Sequence, residues 1–286
     1  MRQDIVVRFA PSPNGFLHLG HAYAAMRAHY FAREKGGRFL LRMEDIDAGR
    51  TRPEYIDAIL CDLRWLGLDW DGEVIFQSDR FVSYVNAVDD LRNIGVLYPC
   101  FCSRRDLVEA GAKTGQSGLI YPGTCRLVAS DAAEQRIKNE PHCWRLDVNK
   151  AHHLTGPLYW HDLWAGEQLM QPELLGDVII APRETTTSYH LAVTLDDARD
   201  GITHVVRGMD LFASTHVHRL LQALLKLPAP IYAHHKLLLD ENGEKLSKSR
   251  GSASLSVLRK RGESGIKLLD RLRKNKLPLG ITLSED

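Results

Sequence analysis

The chain has 286 residues, with 37 Lys+Arg against 36 Asp+Glu and a formal net charge of +1. Hydrophobic residues make up 44% and charged residues 26%, ordinary globular usage that excludes disordered and low-complexity classes. This length allows about two domains around a core that needs no staples, and the balanced charge excludes a whole-molecule basic field while leaving room for a local basic patch.

The first residues hold Asp4 and no apolar signal-type stretch, and no run approaches the ~18 apolar residues of a membrane span, so a cytoplasmic, non-membrane protein is expected. Ile5–Phe9 is β-prone and runs into a turn sequence, Pro11-Ser-Pro-Asn-Gly15. Leu19, Tyr23, Met26 and Tyr30 recur at helical spacing until Gly36-Gly37 stops them. Arg38–Met43 predicts a second strand. Thr51 with Glu54 forms a capping-box pattern ahead of a helix marked by Tyr55, Ile59, Leu63 and Leu66. Ser78 is placed to cap another helix carrying Phe81, Tyr84, Val88 and Leu91, ended by Gly95. Alternating strand and helix predicts a parallel α/β sheet.

After Tyr98 the alternation stops, and a stretch rich in turns, Trp, His and Cys reads as an inserted subdomain. Strand signals return at Asp177–Ile180, Tyr189–Leu195 and Ile202–Arg207. A helix follows from about Ser214, with Leu220, Leu221, Leu224 and Leu225 on its buried side. From Lys236 the chain is basic and helical in pattern. The expected organisation is a first catalytic half at 1–97, an insert at 98–175, a second half at 176–235 and a basic helical region at 236–286. Charge is segregated: residues 44–90 hold 12 acidic and 4 basic side chains, while 236–286 hold 12 basic and 7 acidic. The basic stretch is a plausible RNA-contact surface.

The five cysteines (Cys61, Cys100, Cys102, Cys125 and Cys143) are an odd number in a chain of this size, which reads as reduced. Cys100, Cys102 and Cys125 offer three soft ligands, and tetrahedral zinc wants a fourth. Spacing leaves His142, Cys143 and Tyr121 open for it, and three free buried cysteines as the competing reading. His152-His153, His216, His218 and His234-His235 lack ligand spacing and read as solvated or core-satisfied.

Two motifs carry chemistry. His18-Leu-Gly-His21 follows the first strand and loop, so both imidazoles share one face at a helix start, where free N–H groups favour anions and Gly20 lets a nucleotide approach the backbone. Far downstream, Glu244-Lys-Leu-Ser-Lys-Ser249 follows a turn and sets Lys245 and Lys248 among small hydroxyl residues, a pattern suited to a loop over phosphates. Either alone is an ordinary surface pattern; the pair on one α/β chain is specific.

Together these motifs resemble the two ATP-site motifs of class I aminoacyl-tRNA synthetases. Arg8-Phe-Ala-Pro-Ser-Pro13, Leu17–His21, Arg42-Met-Glu-Asp-Ile-Asp47 and Gly201-Ile-Thr-His-Val-Val-Arg-Gly208 resemble the glutamyl branch, over most of residues 5–250. Only about 36 residues follow the lysine loop, where full glutamyl enzymes continue into an anticodon-binding region. That shortness and the cysteines are similar to the glutamyl-queuosine tRNA(Asp) synthetase family. The resemblance implies a Rossmann-like parallel sheet with a zinc-containing insert. It implies activation of glutamate with ATP and Mg²⁺, without tRNA, then transfer to queuosine in the anticodon of tRNA(Asp). It places Arg8, Ala10, Ser12, Glu44, Tyr189 and Arg207 on glutamate, His18, Gly20, His21, Lys245 and Lys248 on ATP, and Cys100, Cys102, Tyr121 and Cys125 on one structural zinc. His18, His21 and Lys248 are the expected catalytic groups. Arg8, Glu44 and Arg207 each end a strand, so they can meet at the carboxyl edge of the sheet. Asp196 and Asp197, after the strand expected at 189–195, could line the same edge, with polar capping the favoured reading. A monomer is expected. The competing functions are a short glutamyl-tRNA synthetase variant charging a tRNA 3′ end, a small-molecule adenylating enzyme or nucleotidyltransferase, and a catalytically dead zinc-dependent RNA-binding module.

Overall fold

The computed structural model describes residues 4–115, 118–246 and 254–285. Val6–Phe9 (β1) is buried along its whole length and leads into α1 (Leu19–Arg33). Gly36 adopts φ +67° after α1, a conformation that favours glycine, and the chain turns back into β2 (Arg38–Met43). β2 pairs in parallel with β1. Next come α2 (Pro53–Trp65), β3 (Ile75–Phe76), parallel to β2, and α3 (Phe81–Asn93).

The chain then leaves this sheet. It forms β4 (Leu97–Cys100), α4 (Arg104–Glu109), the short pair β5 (Thr114–Gly115) and β6 (Gly118–Leu119), α5 (Ser130–Asn139), β7 (Cys143–Leu146) and α6 (Val148–Thr155). The antiparallel hairpin of β8 (Tyr159–Asp162) and β9 (Gly166–Leu169) follows, then β10 (Ile179–Ala181), α7 (Tyr189–Arg199), β11 (His204–Gly208), α8 (Ser214–Leu224) and β12 (Ile231–His235). β13 (Leu238–Leu239), α9 (Leu255–Lys260), α10 (Gly265–Arg273) and β14 (Thr282–Leu283) complete the described chain.

β11 and β12 are parallel, and β12 is parallel to β8. β11 lies beside β1, where Thr203 N donates to Val6 O at 3.0 Å and Val6 N donates to Thr203 Oγ1 at 2.9 Å. The two halves thus abut along β1 and β11, and the carboxyl ends of β1, β2 and β11 share one edge. Helices α1, α2, α9 and α10 pack the main core against β1 and β2, with Leu63, Leu255, Leu269 and Leu272 buried in it. No helix among the described residues is long and apolar enough to cross a membrane.

Four expectations change. First, Thr51 and Glu54 make no capping box: Arg52 is the N-cap, without a side-chain bond, and Pro53 opens α2 instead. Second, Ser78 does not cap a helix; its hydroxyl and backbone N–H both donate to Asp45, and α3 starts at Phe81. Third, residues 189–195 are helical. Ser188 is the N-cap, its hydroxyl accepting from Leu191 N, and this local cap outweighs the strand preference of a Tyr, Val and Thr run. Fourth, strand pairing crosses the boundary drawn at 175/176. The β8–β9 hairpin, expected in the insert, joins the main sheet beside β12, whereas β10, expected in the catalytic half, pairs with β7 in the insert sheet β10-β7-β4. One apolar cluster joins Val88 and Leu91 of α3, Leu146 of β7, Ile180 of β10 and Leu220 of α8, so the insert shares a core with its surroundings.

Candidate active site

Arg8, at the end of β1, is 5% exposed and grips Asp197 of α7 through Nε and Nη2 at 2.9 and 3.1 Å. Arg42 of β2, fully buried, donates to Asp197 at 2.7 Å and to Asp200 at 3.0 Å. Arg80 bridges Asp196 and Asp200 at 2.8 and 2.6 Å, and Tyr84 and Gln77 also donate to Asp196. Burial alone would raise the Asp197 carboxyl, but Arg8 and Arg42 outweigh it and hold the group below its ordinary value. Two carboxylates of α7 and that of Asp200, which follows it, therefore fix three arginines under the sheet edge.

Glu44 follows β2 at the same edge, with its side chain 10% exposed and its nearest cation, Arg42 Nη2, at 3.9 Å. Burial pushes its carboxyl from 4.5 to about 7, although Arg42 and Arg8 pull the other way. Tyr189 opens α7; burial pushes its hydroxyl up to about 12, and Arg207, Glu44 and Arg8 all act on it. Arg8, Glu44 and Arg207 thus all lie within electrostatic reach of Tyr189.

Arg207 of β11 is 6% exposed. Nε donates to His234 Nε2 at 3.0 Å, and Nη2 donates to Thr215 Oγ1 at 2.6 Å and Leu211 O at 3.1 Å. Nη1 makes the longer contacts, to the Tyr189 hydroxyl at 3.2 Å and His218 Nδ1 at 3.4 Å. All five partners are neutral, and among the described residues no carboxylate pairs with Arg207. A buried cation held by neutral acceptors is an incomplete ion pair, a chemical fit for an anionic ligand group. Ala10 and Ser12 lie in the loop after β1, where Ser12 O accepts from Asn14 N at 2.9 Å.

His18 is the N-cap of α1. Its Nδ1 accepts from Gly20 N at 3.1 Å, and His21 Nδ1 accepts from His18 N at 3.1 Å. Both Nδ1 atoms are acceptors, so each neutral ring carries its proton on Nε2 and presents a donor at the helix start. A Cβ on Gly20 would stand 2.9 Å from His18 Cε1, so only glycine leaves the imidazole in place. Leu17 O accepts from Leu255 N at 2.8 Å, and Leu246 is buried in the same core as Leu17 and Leu19. The described residues on either side of 247–253 therefore flank the start of α1. Lys248 lies outside the described residues. Lys245 is inside them and pairs with Asp210 at the surface.

Cys100, Cys102 and Cys125 bring their Sγ atoms within 4.8 Å of one another. Cys102 Sγ is 3.5 Å from Cys125 Sγ and 3.6 Å from the Tyr121 hydroxyl, which accepts from Cys125 N at 2.7 Å. A hydrogen bond from Cys143 draws the Cys100 thiol down to about 4, and burial pushes Cys102 up to about 11. Three sulfurs this close could hold one metal ion. His142 stands apart: its ring contacts Phe101 and Trp144, and Nδ1 bonds the Glu140 carbonyl. Beside the cysteines, a cavity of about 730 Å³ runs to the first turn of α7, lined by Arg104, Tyr121, Arg145, Arg183, Tyr189 and His190.

Residues 4–279 match the family described as tRNA synthetases class I (E and Q), catalytic domain. The chain belongs to this family. It is similar to a Glutamyl-Q tRNA(Asp) synthetase of Rhodobacter capsulatus, 46% identical over 275 residues that span 91% of this chain and 96% of the relative. Among solved structures it resembles glutamate-tRNA synthetase of Elizabethkingia anophelis, with a TM-score of 0.74 and 28% identity. It also resembles a glutamate tRNA ligase of Elizabethkingia meningosepticum in complex with its amino acid, with a TM-score of 0.72 and 28% identity. The match covers 87% of this chain in both cases but only 53% of either solved chain, so this synthetase spans about half their length. It is a ligase-type enzyme with the class I parallel sheet.

Several groups in this synthetase escaped the sequence reading. Asp196 and Asp197 do not cap anything; they lie in α7 and neutralise the arginines beneath the site. Arg42 entered only as part of a motif, without a role, and Arg80, Asp162 and Asp200 were not singled out. His218 and His234, read as solvated or core-satisfied, are buried against Arg207. One local signal was present: with Ser188 read as an N-cap, Asp196 and Asp200 are four apart and share a helix face.

Proposed function

We propose that this synthetase activates glutamate with ATP, without tRNA, and transfers it to queuosine in the anticodon of tRNA(Asp). The observation that carries the amino-acid choice is Arg207, a buried cation with only neutral partners, which acts on Tyr189 together with the acid Glu44. A dicarboxylate bearing an ammonium matches that set: its side-chain carboxylate toward Arg207 and Tyr189, its amino group toward Glu44, with Arg8, Ala10 and Ser12 completing the walls. Asp197 takes Nε and Nη2 of Arg8, and Nη1 makes no hydrogen bond among the described residues. The similarity to Glutamyl-Q tRNA(Asp) synthetases over nearly their whole length supports the queuosine acceptor.

In the first step an α-carboxylate oxygen bonds to the α-phosphorus of ATP as the bond to the pyrophosphate leaving oxygen breaks. In the second, a queuosine hydroxyl attacks the adenylate carbonyl, loses its proton and releases AMP. No side chain serves as nucleophile, so positioning and charge stabilisation carry the rate. The Nε2–H groups of His18 and His21, the helix start and the lysines Lys245 and Lys248 supply positive potential for the phosphates. Mg²⁺ arriving with ATP would neutralise phosphate charge.

The thiols of Cys100, Cys102 and Cys125 with the Tyr121 hydroxyl fit one structural zinc ion. Metal analysis is expected to find one zinc per chain, lowered by Cys125→Ala. Full retention of zinc by that variant would remove Cys125 from the set.

The function is tested by supplying ATP, labelled glutamate and tRNA pools with or without queuosine. Label confined to queuosine-containing tRNA(Asp), and lost on anticodon cleavage, is the expected result. Label at a 3′ terminus would favour a charging enzyme, and glutamate-dependent ATP–pyrophosphate exchange requiring tRNA would overturn tRNA-independent activation.

A further inference from the structure

A guanidinium can only donate hydrogen bonds, so every atom that touches Arg207 must offer a lone pair. This fixes the proton positions of two buried histidines. His234 Nε2 accepts from Arg207 Nε, which leaves the ring proton on Nδ1, and Nδ1 lies 2.7 Å from Asp162 Oδ2. His218 Nδ1 accepts from Arg207 Nη1, so its Nε2–H donates to His190 Nδ1 at 3.2 Å. The side chains of Asp162 and His234 are both fully buried. Asp162 is held from its other side as well: Oδ1 accepts from the backbone N–H groups of Trp164 and Ala165 at 2.9 and 3.0 Å, and Oδ2 also accepts from His234 N at 3.1 Å. Burial moves His234 down to about 4 even though Asp162 pulls the other way, so the ring is neutral at pH 7 and this arrangement persists.

We propose that Asp162 and His234 are positioning residues for amino-acid activation: Asp162 fixes the His234 tautomer, and the neutral imidazole holds Arg207 by Nε so that its Nη1 edge meets the anionic group of the substrate. The inference rests on the reading that Arg207 binds that group. Its logic is the separation of orientation from neutralisation. A carboxylate bonded straight to Arg207 would also orient it, as Asp197 does for Arg8, but would cancel the charge the ligand needs. One interposed imidazole passes on the carboxylate's geometric control while keeping its negative charge a ring's width away. The His218–His190 pair applies the same constraint at Nη1, where the contact is longest and a ligand oxygen can compete.

Replacing Asp162 by Asn tests this with minimal change of shape. Oδ1 can still accept from Trp164 and Ala165, but an amide NH₂ now faces His234 Nδ1 and the bond from His234 N is given up as well. The ring must then accept there and carry its proton on Nε2, against the Arg207 Nε–H. This is the wrong-tautomer effect known from catalytic histidines whose aspartate is changed to asparagine.

The measurement is glutamate-dependent ATP–pyrophosphate exchange by the full chain, with separate KM values for glutamate and ATP. Asp162→Asn is expected to raise the glutamate KM at least about tenfold, the scale of one hydrogen bond to a charged group, and to leave the ATP KM within about twofold. His234→Gln, whose amide offers one donor and one acceptor, should lie nearer the wild type than His234→Ala. Equal rises in both KM values for Asp162→Asn, or no rise in either, would overturn the proposal. Should Asp162→Asn fail to fold, the His234 pair decides, and equal glutamate KM values for His234→Gln and His234→Ala would overturn it. Arg207→Gln separates the underlying reading: an unchanged glutamate KM there sinks Arg207 as the ligand group itself. A large rise there with none in Asp162→Asn sinks only the positioning role.

Discussion

The buried arginines at the two ends of α7 are treated in opposite ways. Near its C-terminal end, Arg8, Arg42 and Arg80 meet Asp196, Asp197 and Asp200 in a closed ionic cluster. Near its N-terminal end, Arg207 meets a tyrosine, a threonine, a carbonyl and two neutral histidines. Arg8, Arg42 and Arg207 are similarly buried, so burial alone does not set them apart; the charge of the partners does, and it is the basis on which Arg207 is proposed for the ligand. The first group has its counter-ions built in, while the second has only neutral partners among the described residues.

The sharpest way to break this contrast is to remove a counter-ion. Asp197→Ala would leave Arg8 and Arg42 buried without their shared partner, and a loss of about 3–5 kcal/mol in urea denaturation is expected. A loss below about 1 kcal/mol would mean that the cluster is not a structural unit. Arg207→Gln should do the reverse, costing binding more than stability: the glutamate KM should rise by about a hundredfold, roughly 2–3 kcal/mol, in pyrophosphate exchange. A third test uses pH. Glu44 ionises near 7 in the fold against an ordinary 4.5, so the native state binds the extra proton between those values. Its contribution to stability therefore falls as pH rises from 4.5 to 7. Its affinity for an ammonium rises over the upper part of the same range. The glutamate KM should drop roughly tenfold between pH 6 and 8, and Glu44→Gln should flatten that profile while weakening binding. A wild-type profile without the drop would take Glu44 off the amino group. The smallest effect is expected where solvent screens the pair: Arg105→Ala removes an exposed ion pair with Glu109 and should not measurably shift the denaturation midpoint.

The open end of this contrast was legible in the sequence and the closed end was not. Arg8, Glu44 and Arg207 stand at strand ends, and strand ends can be read from local runs of β-prone residues followed by turns. The His18–His21 start could be read for the same reason, since a strand, a proline–glycine loop and a helical period follow one another. The acids of α7 were missed because their segment begins Tyr-His-Leu-Ala-Val-Thr, where strand preference masks a helix set by one serine. The partners of Arg207 were missed for a deeper reason. Asp162 and His234 are 72 residues apart and meet only because the β8–β9 hairpin, assigned to the insert, docks beside β12. Pairings of that range carry no periodic signal along the chain.

The seam between β1 and β11 has a kinetic side. Val6 and Thr203 are 197 residues apart, and Trp65 and Arg259 of the helical layer find their partners at comparable separations. At ribosomal speeds of about 5–20 residues per second, β1 is made roughly 10–40 s before its neighbour. Until then β1, β2 and β3 form a half-sheet whose free edge is the future centre of the molecule. That edge is open to wrong partners, so the slowest and most error-prone step in maturation should be the arrival of β11, well after the N-terminal helices have formed.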